Sequence, residues 1–112
     1  MWGIAEFRSV EQRHASTIRD FLKRARPLLE QERQLGPQDE GIVSSFLIGN
    51  DAFDAFRDIR RSASEHRVEF LRDPVGTETL DFIEAMCTLL TILSVKGTPR
   101  MKELADELTG ML

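Results

Sequence analysis

Apolar residues along this chain recur at helical spacing. Val10, His14, Thr17, Ile18, Phe21, Leu22, Ala25, Leu28 and Leu29 fall on one face of a first helix at i, i+3, i+4 and i+7 steps. Its start is predicted at Ser9, because Ser9-Val10-Glu11-Gln12 has the form of a capping box in which hydroxyl and amide satisfy two orphan donors. Pro27 keeps the phase of this face but removes a backbone donor and crowds the preceding turn, which predicts a kink or break near Arg26. Gly36-Pro37 ends the element.

The segment from Asp39 to Ile48 is ambiguous. Ile42, Val43, Phe46 and Leu47 suit a short helix, while Ile42–Ile48 also suits a strand. Helix is the expectation, since no other segment offers such a strand a partner. Gly49-Asn50 then reads as a stop followed by an N-cap. A further helix is predicted from about Asp51 to Arg72, with Ala52, Phe56, Ile59, Ala63, His66 and Phe70 as its stripe. Asp73-Pro74-Val75-Gly76 breaks the chain, because a residue before proline resists the α region.

The sharpest pattern lies at Thr77–Leu108. Thr77 opens a helix that Gly97 closes, and Thr98-Pro99 opens the last one. In the first of these, Asp81, Glu84, Thr88, Thr91 and Ser94 form a narrow polar stripe. Leu80, Phe82, Ile83, Ala85, Met86, Cys87, Leu89, Leu90, Ile92 and Leu93 fill the rest. A helix so apolar is central to a bundle or shared with a second subunit. The expected fold is therefore all-α, a compact bundle of four to five helices around a central apolar helix at about 77–96. Residues 1–112 form a single domain, with 1–8 (Trp2, Ile4, Phe7) as an N-terminal hydrophobic arm.

Composition narrows the class without naming an activity. The chain has 112 residues, 41% apolar and 30% charged, enough for one core and unlike a disordered tail. Its apolar runs fall short of the ~20 residues of a membrane span, and its first residues lack the pattern of a signal peptide. The lone Cys87 precludes an intrachain disulfide and suits a reducing, cytoplasmic setting. The net charge of −4 is unevenly spread: residues 1–33 carry seven Lys/Arg against five Asp/Glu, and 34–56 carry four acids and no base. Neither block is charged strongly enough for a nucleic-acid tail.

Candidate chemistry gathers at the two histidines. Glu11-x-x-His14 has the spacing by which a bundle helix presents two metal ligands inward, and His66 with Glu69 could complete a four-residue site if the helices face each other. The alternative is that each histidine is a core-edge residue bonded to a carboxylate or carbonyl. No cofactor or metal is expected. Two basic faces also stand out, Arg13, Arg19, Lys23, Arg24 and Arg26 on the first helix and Arg57, Arg60, Arg61 and Arg67 further on. Both are diluted by acids, and Phe21, Phe53, Phe56 and Phe70 read as buried instead of as stacking platforms. The first face suits an acidic protein partner better than a nucleic acid. Glycine-rich phosphate loops, Cys-x-x-Cys pairs and His-Glu-x-x-His motifs do not occur.

Two resemblances bear on function. Arg61-Ser62-Ala63-Ser64-Glu65-His66 resembles the Arg-x4-His motif of HEPN-type ribonucleases, which implies RNA cleavage by Arg61 and His66 across a dimer. Leu89–Pro99 followed by Met101-Lys102-Glu103-Leu104-Ala105-Asp106-Glu107-Leu108 resembles the opening of a winged-helix domain in MarR-type regulators, which implies a transcriptional role. That likeness covers about a fifth of the chain; its glycine is displaced to Gly110, and no recognition helix follows Leu112 in this sequence. The leading expectation is a non-enzymatic interaction or regulatory adaptor that self-associates as a homodimer. It binds a partner through Arg13, Arg19, Lys23, Arg24 and Arg26. A nucleic-acid-associated regulator, a HEPN-like ribonuclease and a carboxylate/histidine metal bundle are the alternatives.

Overall fold

The computed structural model describes residues 2–30, 35–49 and 51–112. Among them the chain is all-α, without strands: α1 (Trp2–Arg13), α2 (Ala15–Leu29), α3 (Glu40–Ser44), α4 (Ala52–Glu65), α5 (Thr77–Lys96) and α6 (Pro99–Gly110). A 3-10 turn at Pro37–Asp39 leads into α3, and a π-helical stretch at Ser45–Gly49 leaves it. The ambiguous 42–48 segment is thus helical. The molecule measures 47 × 25 × 23 Å. Helix α5 packs on α2 and α6 and touches α4, while α1 lies along α4.

The α5–α6 pair follows its punctuation. Gly97 is the α5 C-cap, and the Met101 amide donates to Thr98 Oγ1 at 3.3 Å, capping α6. A Cβ at Gly97 would collide with the Leu93 carbonyl and lie 2.8 Å from Met101 Cβ, so only glycine lets α6 fold back this closely. On α5, Phe82, Met86, Leu89 and Leu93 are fully buried. The buried positions, from Ala85 round to Leu90, span an arc of about 140° at 100° per residue, and Leu80, Ile83 and Ile92 flank it half-buried. The predicted polar stripe is the solvent face.

Cys87 is a correction, since it lies on that exposed face and not in the packing. The buried arc packs against this chain's own α2, α4 and α6, while Val95 on the same helix stays exposed.

An aromatic chain ties the halves together. Phe21 of α2 meets Phe82 of α5 edge-on at 5.1 Å between centroids, and Phe82 meets Phe56 of α4 at 6.2 Å. Such pairs contribute about 0.5–1.5 kcal/mol each beyond their burial.

Three boundaries differ from expectation. The first helix begins upstream of Ser9, and the described part of the predicted 1–8 arm, residues 2–8, is its opening turns. Phe7 is fully buried and packs on Phe70, and a Cβ at Gly3 would lie 2.6 Å from the His66 carbonyl. Packing upstream overrides the capping box, and the interruption falls instead at His14, between α1 and α2.

Pro27 does not break α2, because it sits exposed in the last turn, on the solvent side where water can replace the donor it denies to the exposed Lys23. Helix α4 stops at Glu65, not Arg72. Arg67 adopts φ 56°, and the Val68 and Arg67 amides donate back to the Ala63 and Ser64 carbonyls, a Schellman cap closed by buried Val68. The predicted Asn50 cap and the side chains of Trp2 and Phe46 lie outside the described residues.

Candidate docking groove

The four side chains considered as metal ligands, Glu11, His14, His66 and Glu69, are each engaged elsewhere. His14 Nε2 lies 3.0 Å from Asp58 Oδ2, joining the α1–α2 bend to α4. His66 Nε2 lies 3.2 Å from Glu6 Oε2. Glu69 pairs with Arg72 at 3.8 Å in the turn after α4. Glu11 reaches α5 instead, its Oε2 accepting from the Gly76 amide at 3.1 Å and the Thr79 hydroxyl at 2.5 Å. The four residues Glu11, His14, His66 and Glu69 therefore do not converge, and no cluster of three metal-ligating side chains occurs among the described residues. Each histidine is a half-buried bridge to a carboxylate on another helix.

Arg61 and His66 also diverge. Arg61 faces a cleft beside Met111 and Leu112, with its guanidinium 3.9 Å from Asp58, while His66 is turned onto α1. Within one chain the Arg-x4-His spacing does not bring the two side chains to a common point.

The Glu11 contacts have a structural cause and a functional consequence. Gly76, the α5 N-cap, has no side chain to satisfy the first amides. Glu11, from a different helix, accepts instead from the Gly76 amide itself and from the Thr79 hydroxyl, and its negative charge suits the positive end of the α5 dipole. By holding the 74–79 segment against α1 and α2, it forms the wall of a groove. One part, about 490 Å³, runs between Arg8, Ala15, Ile18 and Arg19 on one side and Pro74, Val75 and Thr79 on the other. A second part, about 460 Å³, continues along Ile4, Ala5 and Ser9, with Arg8, Gln12 and Pro74 common to both.

The groove is mainly apolar along its floor, and its charges are unequal in their commitments. Glu11 is bonded to the α5 N-terminus, and Glu78 is paired with Arg19 Nε at 3.0 Å. Arg8 makes no ion pair among the described residues. The uncommitted charge in the groove is thus positive, although the whole chain is acidic.

The five basic residues singled out in the sequence divide accordingly. Arg19 lines the groove and pairs with Glu78; Arg24 pairs with Asp20 one turn earlier at 3.3 Å. Arg13, Lys23 and Arg26 are exposed and without an ion pair among the described residues. Arg19, Lys23 and Arg26 follow one another at i, i+4 and i+7, so a basic stripe leaves the mouth of the groove along α2.

Arg8 and the 74–79 wall were missed in the sequence, because Arg8 was assigned to an arm. A helical start before Ser9 would have placed Arg8 and Gln12 side by side on the outer face. Of the four aromatics expected to be buried, Phe21, Phe53 and Phe56 belong to the core, while Phe70 is only partly buried against it. No helix among the described residues is long and apolar enough to cross a membrane. Comparison with protein-family models, with curated proteins and with solved structures yields no match to this chain.

Proposed function

We propose that this chain is a non-enzymatic helical adaptor that docks an acidic, amphipathic segment of a protein partner in the groove between α1, α2 and the 74–79 wall. The observation that carries this reading is the imbalance of commitments described above: an apolar floor beside an arginine without an ion pair, with both groove carboxylates already engaged. Apolar residues of the incoming segment would cover Ala15, Pro74 and Val75. Its carboxylates would meet Arg8 at the centre and the Arg19, Lys23 and Arg26 stripe at the edge. Electrostatic complementarity of this kind guides encounter and register, while the apolar contact supplies affinity. A reducing, cytoplasmic setting fits the exposed thiol of Cys87.

The test uses a fluorescent synthetic peptide with leucines at i, i+3, i+4 and i+7 and glutamates between them, titrated with the intact protein. Saturable binding that perturbs backbone amide signals at Arg8, Ala15 and Val75 supports the proposal. So does a loss of about tenfold or more in affinity for Arg8→Glu, as expected for one charge-assisted contact replaced by repulsion. Lys102→Glu, on the exposed side of α6, should leave binding unchanged. Equal affinity for Arg8→Glu, or amide shifts that avoid the groove, overturns it. A monomer–dimer equilibrium in sedimentation that Arg8→Glu abolishes would make the occupant a second copy, which also overturns it.

A further inference from the structure

On the opposite course of α4, Arg57, Arg60, Arg61 and Ser64 occupy one face, two turns long, and meet Met111 and Leu112 across a cleft of about 360 Å³. Three arginines line this cleft beside one acidic side chain, Glu65. The arginines are differently restrained. Arg60 lies over the Phe56 ring, 5.4 Å from its centroid, and Arg61 leans on Asp58 at 3.9 Å, a carboxylate already shared with His14. Arg57 is half-buried and has no ion pair among the described residues.

Cations in the last turn of a helix are favoured by its dipole, an influence that fades within a turn of the end. Arg57 stands two turns before the α4 terminus at Glu65, so the dipole does not account for it. Arg57 and Arg61 are also one turn apart, a like-charge pair that weakens an isolated helix. An anion in the cleft removes that repulsion. Guanidinium forks match the oxygens of a phosphoryl group, the Ser64 hydroxyl adds a donor, and an arginine-rich lining suits a dianion better than a single carboxylate. Met111 and Leu112, exposed apolar side chains, provide a wall for the organic part of the ligand.

We infer that the cleft between α4 and Met111-Leu112 is a binding site for a phosphomonoester group, with Arg57, Arg60 and Arg61 as its ligands. This site is separate from the α1–α2 groove and stands whether or not a peptide docks there.

Thermal unfolding of the intact protein in rising inorganic phosphate, with ionic strength held constant by sodium chloride, tests it. Phosphate should raise Tm along a saturating curve that chloride does not reproduce. Arg57→Gln and Arg60→Gln should each weaken the apparent phosphate affinity by about tenfold, the loss of one charge-assisted contact. Phosphoserine and a short phosphoserine peptide distinguish the sources: equal affinities assign a free metabolite-like phosphomonoester, and tighter peptide binding assigns a phosphorylated chain. An equal Tm rise in both variants, or in chloride alone, overturns the site. Binding of an RNA oligonucleotide that phosphate fails to displace overturns it as well.

Discussion

Removing the Glu11 carboxylate is the most direct way to examine how the two halves of the fold are joined. In Glu11→Ala the Gly76 amide, which is exposed, can turn to water. The Thr79 hydroxyl cannot, since Thr79 is 3% exposed and its hydroxyl donates to Glu11 Oε2. An orphaned buried donor costs about 1–3 kcal/mol, and loss of a carboxylate at a helix N-terminus adds roughly 0.3–1 kcal/mol. The expected destabilisation is about 2.5 kcal/mol on these terms. With 112 residues and an unfolding entropy near 2.1 cal/mol/K per residue, this lowers Tm by roughly 10 °C.

The assay is urea and thermal unfolding followed by far-UV circular dichroism. Glu11→Gln keeps both acceptor contacts and should lose only the charge component. Thr79→Val provides the second edge of a double-mutant cycle: destabilising alone, it should be neutral or favourable once Glu11 is alanine, because the orphaned hydroxyl is then gone. A Glu11→Ala protein within about 0.5 kcal/mol of the parent, or strictly additive effects in the cycle, would refute the account; the first value marks the size of ordinary surface substitutions.

Other expectations rest on single features. Ser62 is 5% exposed and its Oγ has no hydrogen-bond partner among the described residues, so Ser62→Ala should raise stability by about 1 kcal/mol in urea unfolding. Arg67 holds a left-handed conformation at the end of α4, so Arg67→Gly should also stabilise, by about 0.5–1 kcal/mol, readable as a higher urea midpoint at unchanged slope. Gly97→Ala should destabilise by about 1–3 kcal/mol, because the added methyl meets the Leu93 carbonyl and Met101. Thermal unfolding followed by circular dichroism checks it, and an unchanged Tm would mean α6 can swing away freely.

How far the fold was legible depended on whether each signal was local. The α5–α6 pair could be read because Gly97 and Thr98-Pro99 mark its turn with residues of distinctive backbone chemistry. The end of α4 could not, because its Schellman cap places an arginine where glycine is the usual sign. At Ser9 a genuine capping preference lost to the packing of Gly3 and Phe7 against the α4 terminus and Phe70, contacts invisible without the fold.

The candidate site divides along the same line. That α2 carries a basic face follows from spacing alone, and the Asp20–Arg24 pair is visible as i, i+4. Which cations stay uncommitted does not follow, since Arg19 finds Glu78 fifty-nine positions away and Glu11 finds Thr79 sixty-eight away. Those two long-range commitments leave Arg8 as the groove's uncommitted charge. Which charges lack an ion pair is therefore decided by the folded contacts, and among the described residues they include Arg8 and Arg13 of α1, Lys23 and Arg26 of α2 and Arg57 of α4, while the histidines that stand out in the sequence hold α4 against the α1–α2 layer.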